Sequence, residues 1–116
     1  LEKGIVASLS LEKTLADASY ILITIPTQFV KDTLLKVKSL LKEKVTVINA
    51  AKGFDMNTNM RMSETIRDVF TDSEINPVVS LIGPSHAEEV VERILTAVCS
   101  VSLDEKTAQD VQKLFN

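Results

Sequence analysis

Short apolar runs alternate with amphipathic stretches along the whole chain. The runs at 20–25, 45–51, 78–82 and 96–101 are rich in β-branched residues and apolar on both sides, and a weaker run lies at 4–8. Such runs are typical of strands that are buried on both faces of a sheet. Each of them therefore predicts a β-strand.

The stretches between these runs carry apolar residues at helical spacing. The spacing predicts helices over 30–41, 62–69, 87–94 and 108–114, and a shorter helix over 11–18. Strands that alternate with helices indicate crossover units and a parallel sheet. The sequence therefore predicts the α/β class: one domain with a mostly parallel sheet flanked by helices on both faces.

Several short polar motifs predict where the helices begin. Ser10 is a suitable N-cap for the first helix. The segments 102–105 and 85–88 each begin with serine and end with glutamate, which is the capping-box pattern. We therefore expect Ser102 and Ser85 to cap the helices that follow them.

The composition narrows the class of protein. The chain has 116 residues, 45% of them hydrophobic and 25% charged, and a net charge of −3. This is the composition of an ordinary globular domain, and the lack of a basic excess argues against a nucleic-acid partner. No apolar run approaches about 18 residues, so no membrane span is predicted.

Cys99 and His86 are the only residues of their types. An internal disulfide and a histidine-rich metal site are therefore excluded, and no metal site is predicted. We interpret Cys99 as a small buried hydrophobic residue and His86 as a surface residue in the first turn of a helix. The lone cysteine leads us to expect a reduced, cytoplasmic compartment.

The candidate chemistry lies directly after the predicted strands. Ligands of parallel sheets bind outside the carboxyl ends of the strands, and the segments 26–29, 52–54 and 83–87 occupy those positions. Lys52 stands between an apolar strand and a glycine, where its ammonium could bind a phosphate, a carboxylate or a carbonyl oxygen. A solvated lysine at a strand end is the alternative interpretation.

Two further segments of this edge have a functional and a structural interpretation each. Gly83 allows close approach of a ligand, and Ser85 precedes a helix start that suits an anion or a sugar hydroxyl. An ordinary strand-to-helix turn with a capping serine explains the same residues. Phe29 could stack on a base or a nicotinamide ring, or it could pack at the rim of the core.

Several of these motifs, in this order, resemble the N-terminal nucleotide-binding domain of NAD(P)-dependent glycerol-3-phosphate dehydrogenase. The resemblance rests on segments 16–18, 25–29, 51–54, 62–64 and 83–90. It implies a Rossmann-like fold, NAD or NADP as cofactor, and dihydroxyacetone phosphate or glycerol 3-phosphate as substrate.

The resemblance also implies roles for single residues. Lys52 would contact both the cofactor and the substrate, whereas Gly83 and Ser85 would line the substrate side. Ala87 would touch the cofactor through its backbone, and Phe29 would pack near the nicotinamide end. No residue of the chain matches the proton-transferring lysine of the family.

The chain also departs from the family pattern. Its three glycines, at 4, 53 and 83, are too far apart to form the glycine-rich phosphate-binding loop, and we expect none of its residues to match the family's helical second domain. We therefore expect residues 1–116 to be the second half of the nucleotide-binding domain, incomplete at the N-terminus and inactive alone. The parent enzyme would be a cytoplasmic homo-oligomer that feeds glycerophospholipid synthesis.

Two alternatives remain open on the sequence alone. A related Rossmann-type dehydrogenase that acts on hydroxy acids would share the sheet and a similar site wall that carries a lysine. A non-enzymatic α/β partner-binding module would share only the fold, and the exposed edges of a truncated sheet would favour self-association.

Overall fold

The computed structural model of the protein describes residues 4–116 and contains the predicted alternation of helices and strands. In chain order the elements are α1 (Leu11–Leu15), β1 (Tyr20–Ile23), a 3-10 turn (Thr27–Phe29), α2 (Val30–Leu40), β2 (Thr46–Asn49), α3 (Met62–Val69), β3 (Val79–Ile82), α4 (Ala87–Val91), β4 (Cys99–Val101) and α5 (Glu105–Leu114).

The strands form one four-stranded sheet in the order β1-β2-β3-β4. The pairs β1–β2 and β2–β3 are parallel, whereas β4 runs antiparallel to β3. The prediction of a mostly parallel sheet is therefore confirmed, with the last strand as the exception.

The predicted strand at 4–8 is wrong. These residues belong to no strand of the described chain, and the side chains of Ile5 and Val6 are 57% and 87% exposed. A short apolar run becomes a strand only where a neighbouring strand accepts and donates its backbone hydrogen bonds. Between residues 4 and 116 the segment finds no such neighbour.

Helices α2 and α3 pack side by side on one surface of β1 and β2, which we call the covered face. Val30 and Leu34 of α2 and Ile66 of α3 are almost fully buried against Val47 of β2. Ion pairs at the periphery join the second helix to the third and to the loop beyond it: Lys31 to Asp68 at 2.9 Å and Lys38 to Glu74 at 3.0 Å.

Helix α5 packs on the opposite side of the sheet. Its Val111 is fully buried against Ile48 of β2 and Val79 of β3. Helices thus lie on both sides of the sheet, as predicted. None of the helices within residues 4–116 has the length and apolar character needed to cross a bilayer.

The surface of β3 and β4 on the α2 and α3 side stays uncovered by the described elements, and we call it the open face. It carries Ser80, Ile82, Cys99 and Val101. Ser80 pairs with Val101 and Ile82 pairs with Cys99, and paired residues of neighbouring strands point to the same face of the sheet. Ile82 is 56% exposed and Cys99 is exposed too, so the interpretation of Cys99 as a buried residue is wrong. The reason is its place on an edge strand.

The helix starts agree with the sequence only in part. Ser10 caps α1 as expected, since its hydroxyl accepts from the Lys13 N–H at 3.3 Å. The N-cap of α5 is Asp104, whose carboxylate accepts from the Thr107 N–H at 2.7 Å. Ser102 instead donates to the Val78 carbonyl at 2.9 Å, so the capping box predicted there is wrong.

Helix α4 also differs from its prediction. Its N-cap is His86 and not Ser85, whose hydroxyl donates to the Gly83 carbonyl at 3.4 Å. The helix ends at Val91, short of the expected 94, because Arg93 adopts a left-handed φ of 57°. A left-handed residue just beyond the last turn is a common way for a helix to stop.

Candidate functional site

The segments that follow β2 and β3 meet at the carboxyl edge of the sheet. The Lys52 ammonium donates a hydrogen bond to the Ser85 carbonyl oxygen, with Nζ and O 3.1 Å apart. Both residues follow parallel strands, so the topology brings them to the same edge. The structure therefore places these two predicted site residues side by side.

The segment after β1 joins the same edge. Gly53 has a φ of +123°, and a Cβ added to it would lie 3.4 Å from Thr27 Cγ2. The 3-10 turn that holds Thr27 and Phe29 therefore lies against the turn that holds Lys52. All three strand-end segments converge, as the parallel topology predicts.

Phe29, Ala87 and His86 lie on the segments that flank this convergence. The Phe29 side chain is 56% exposed at the start of α2, so it does not belong to the core. Ala87 is the exposed first residue of α4. His86 precedes it and is exposed too, as expected for a surface histidine.

Gly83 has a packing reason for being glycine. A Cβ at this position would collide with the backbone carbonyl of Ala97, which approaches from the strand-to-strand connection before β4. The Gly83 carbonyl accepts from the Ser85 N–H at 2.9 Å, which closes a tight turn. The space that the sequence suggested for a ligand is thus occupied on one side by the chain itself.

Asn49 shapes the backbone that leads to Lys52. Its side-chain oxygen accepts from the Ala51 N–H, and its side-chain nitrogen donates to the Ala51 carbonyl, both at 3.2 Å. The residue is only 7% exposed. Sequence reasoning missed it because Asn49 lies inside an apolar run, although a polar residue at a strand end often bonds to backbone two residues on.

A cleft of about 780 Å³ opens beside Lys52 and Gly83, over the open face. Ser80, Ile82 and Val101 of the open face line it, together with the start of α3. Its charged lining residues are Lys52, Arg61, Arg67 and Asp72, so positive charge prevails. A cleft of this size and charge suits a phosphorylated metabolite.

Arg61, one of the cations that line the cleft, forms an ion pair with Glu64. Its guanidinium donates to the Glu64 carboxylate at 2.7 Å. That hydrogen bond, followed by the one from the Arg61 backbone, lowers the pKa of Glu64 to about 2. The arginine charge is thus partly neutralised by the carboxylate of Glu64, three residues further along the chain.

The described part of the chain gives no sign of a metal centre. Within residues 4–116 no group of three His, Cys, Asp or Glu side chains comes close enough to hold a metal ion. The groups present at the edge are the Lys52 ammonium, the Ser85 hydroxyl, the exposed Phe29 ring and backbone groups.

The fold and the site together define a class. A parallel sheet between helices, with a cationic cleft outside the carboxyl ends of its strands, is the arrangement of Rossmann-like nucleotide-binding domains. A family model described as "NAD-dependent glycerol-3-phosphate dehydrogenase N-terminus" matches residues 1–108. The chain therefore belongs to that family.

Curated relatives agree with this assignment. The chain is 41% identical over 115 residues to a glycerol-3-phosphate dehydrogenase [NAD(P)+] of Bacillus cereus. The aligned residues cover 99% of this chain and 34% of the relative. It is 40% identical over 113 residues to the protein of the same name from Acholeplasma laidlawii, with 97% and 34% coverage. The chain thus spans about a third of the length of these relatives.

Solved structures support the Rossmann-like fold. A Plasmodium falciparum glycerol-3-phosphate dehydrogenase matches with a TM-score of 0.80 and 23% identity, over 96% of this chain and 31% of that one. A Coxiella burnetii glycerol-3-phosphate dehydrogenase matches with a TM-score of 0.76 and 24% identity, over 88% and 30%. At this identity the likeness concerns the fold.

Proposed function

We propose that the chain forms one wall of the active site of an NAD(P)-dependent glycerol-3-phosphate dehydrogenase. That enzyme interconverts dihydroxyacetone phosphate and sn-glycerol 3-phosphate. The observation that carries the proposal is the position of the Lys52 ammonium, 3.1 Å from the Ser85 carbonyl at the mouth of a cationic cleft. Family membership supports the same reaction.

Lys52 has free donor capacity for an anionic substrate. An ammonium carries three N–H donors, and the bond to Ser85 uses one of them. The other two can donate to a phosphate oxygen or to the ketone oxygen of the triose. Positive charge beside that ketone stabilises the negative charge that develops on its oxygen during reduction.

Ser85 and Gly83 contribute the substrate side of the wall. The Ser85 hydroxyl makes only a long bond of 3.4 Å to the Gly83 carbonyl, so it is available to a substrate hydroxyl or phosphate oxygen. Gly83 contributes through its backbone, because the Ala97 carbonyl occupies the position of a side chain. These two residues hold the triose next to Lys52.

The cofactor side consists of Phe29 and Ala87, with Lys52 between the two sides. The residues fit the nicotinamide end of NAD or NADP, because the Phe29 ring is more than half exposed in a turn that touches the Lys52 turn. Ala87 is small and exposed at the start of α4. When bound, the nicotinamide supplies the hydride, and these residues orient its ring.

The rest of the enzyme completes the site. Because the chain spans about a third of its relatives, we assign the proton-transferring group to other parts of the full-length protein. We further propose a cytoplasmic homo-oligomer whose product supplies glycerophospholipid synthesis. No observation favours a hydroxy-acid substrate or a purely partner-binding role.

The test is Lys52→Ala in the full-length protein. We expect kcat/KM for NAD(P)H-dependent reduction of dihydroxyacetone phosphate to fall about 100-fold or more, because one electrostatic partner of the reacting oxygen is lost. Lys44→Ala is the matched control, since Lys44 lies before β2 at the opposite end of the strand. A Lys52→Ala enzyme with nearly unchanged kcat/KM would refute the proposed role.

A further inference from the structure

The backbone just before Lys52 is held by a side chain and not by the sheet. The last ladder bond of β2 towards β1 runs from the Ala50 N–H to the Ile23 carbonyl at 2.9 Å. One residue later, both backbone groups of Ala51 bond to the carboxamide of Asn49. The carboxamide thus continues the hydrogen bonding of the strand by one residue.

This arrangement determines the peptide group that enters Lys52. The Ala51 carbonyl belongs to the peptide bond that links Ala51 to Lys52, so the bond from Asn49 orients that peptide plane. On the other side Gly53 turns away with a φ of +123° against Thr27. Lys52 is therefore held from both sides in the conformation that brings its ammonium to Ser85.

Only a carboxamide of this length can fill the role of Asn49. It both accepts from the Ala51 N–H and donates to the Ala51 carbonyl, whereas a carboxylate can only accept and an alkyl group can do neither. Asn49 is 7% exposed, so its carboxamide relies on Ala51 more than on solvent for hydrogen bonds. A substitution of Asn49 therefore removes one of the two restraints on the peptide group between Ala51 and Lys52.

We propose that Asn49 is a positioning residue, which acts on the substrate only by holding the Lys52 ammonium in place. The inference rests on the proposed function of Lys52. It predicts that the loss of Asn49 lowers activity only where Lys52 is present to be misplaced. A residue that merely stabilised the fold would lower activity to the same degree with or without Lys52.

A double-mutant cycle in the full-length protein tests this dependence. We expect Asn49→Ala to lower kcat/KM for dihydroxyacetone phosphate about tenfold, since misplacement by a fraction of an ångström is costly in a preorganised site. In the Lys52→Ala background the same change should alter kcat/KM by less than about twofold. Equal losses in both backgrounds would overturn the proposal.

Two further variants complete the design. Asn76→Ala is the matched control, because Asn76 is a half-buried amide that donates to Thr46 at 2.9 Å at the far end of β2. It should leave kcat/KM unchanged. Asn49→Asp keeps the size and the acceptor of Asn49 but loses the donor, so it covers the case that Asn49→Ala fails to fold. An Asn49→Asp enzyme with full activity would contradict the proposal.

Amide hydrogen exchange gives a readout that does not depend on activity. Exchange of the Ala51 amide should accelerate in Asn49→Ala, with Lys52 or without it, and should stay unchanged in Asn76→Ala. Unchanged Ala51 exchange in Asn49→Ala would also overturn the proposal. If Lys52→Ala alone retains activity, the proposed function fails first, and the exchange data still report separately on the Asn49 contact.

Discussion

The covered face and the open face are two halves of the same sheet surface, yet similar residues are buried on the first and exposed on the second. Val47 on the covered face is fully buried beneath α2 and α3, whereas Val101 on the open face is 48% exposed. Both residues lie in short runs rich in β-branched residues, and nothing in those runs distinguishes them. The difference arises from the helices that lie over one half and not over the other.

The two faces suit different roles within one sheet. The covered face is packed by apolar side chains and contributes to folding. The open face is the floor of the cleft that Lys52 and Arg61 border, where exposed polar and apolar groups can meet a ligand. Each half can therefore be tested with its own substitutions.

The largest contrast is expected between two isoleucines. Ile66 of α3 is fully buried, so Ile66→Ala should lower the free energy of unfolding of the 116-residue chain by about 3 to 4 kcal/mol. Ile82 on the open face is 56% exposed, and Ile82→Ala should cost less than about 1 kcal/mol. Urea unfolding followed by circular dichroism measures both.

An Ile82→Ala loss close to that of Ile66→Ala would break the comparison. It would mean that the open face is covered in solution, for example by a second copy of the chain. Repeating the measurement over a range of chain concentrations would reveal such self-association, because the stability of a dimer depends on concentration.

A smaller effect is expected at Gly83, a tightly packed position beside the open face. Gly83→Ala forces a Cβ into the Ala97 carbonyl, and neither backbone can move freely. We expect a loss of about 2 kcal/mol, in the range of other overpacking substitutions. Ser85→Ala is the control in the same turn, because it removes only a long hydrogen bond.

The same unfolding experiment decides the outcome at Gly83. A Gly83→Ala chain that is as stable as Ser85→Ala would show that the strand connection at Ala97 yields easily. The cleft wall would then deform easily, and the open face would differ from the covered face in rigidity as well as in exposure.

The sequence predicted the covered half better than the open half. The spacing of Val30, Leu34 and Val37 identified α2 and its buried face, and all three residues are buried. The run that contains Cys99 was equally apolar, but its burial depends on which element covers it and on its place at an edge. A strand pattern does not contain that information.

The site was predictable to the extent that topology determines it. Parallel strands bring Lys52 and Ser85 to one edge whatever the side chains are, so the strand-end argument predicted that these two residues lie together. Asn49 and Arg61 were missed because their contribution depends on local contacts, two and three residues along the chain. The caps of α4 and α5 were misassigned for the same reason.

The smallest predicted effect concerns acid and the start of α3, the helix that lies between the covered face and the cleft. Glu64 accepts from the Arg61 backbone N–H at 2.9 Å and from its guanidinium at 2.7 Å. The guanidinium hydrogen bond is the main reason why the pKa of Glu64 falls from 4.5 to about 2. The Arg61 side chain is 69% exposed, so solvent screens much of this interaction.

The sign of the pH dependence follows from that lowered pKa. A carboxyl group with a lower pKa in the folded than in the unfolded chain stabilises the fold above its unfolded pKa, and the contribution disappears as the pH falls through the folded pKa. Glu64 should therefore stabilise the chain above pH 4.5 and lose this effect between pH 4.5 and about 2. Unfolding curves of wild type and Glu64→Gln should differ at pH 6 and converge near pH 2.

The stability of Arg61→Gln should depend less steeply on pH than that of wild type, because Glu64 keeps its bond to the backbone of residue 61. A constant difference between wild type and Glu64→Gln over this range would show that the helix start depends on the shape of the side chain and not on its charge.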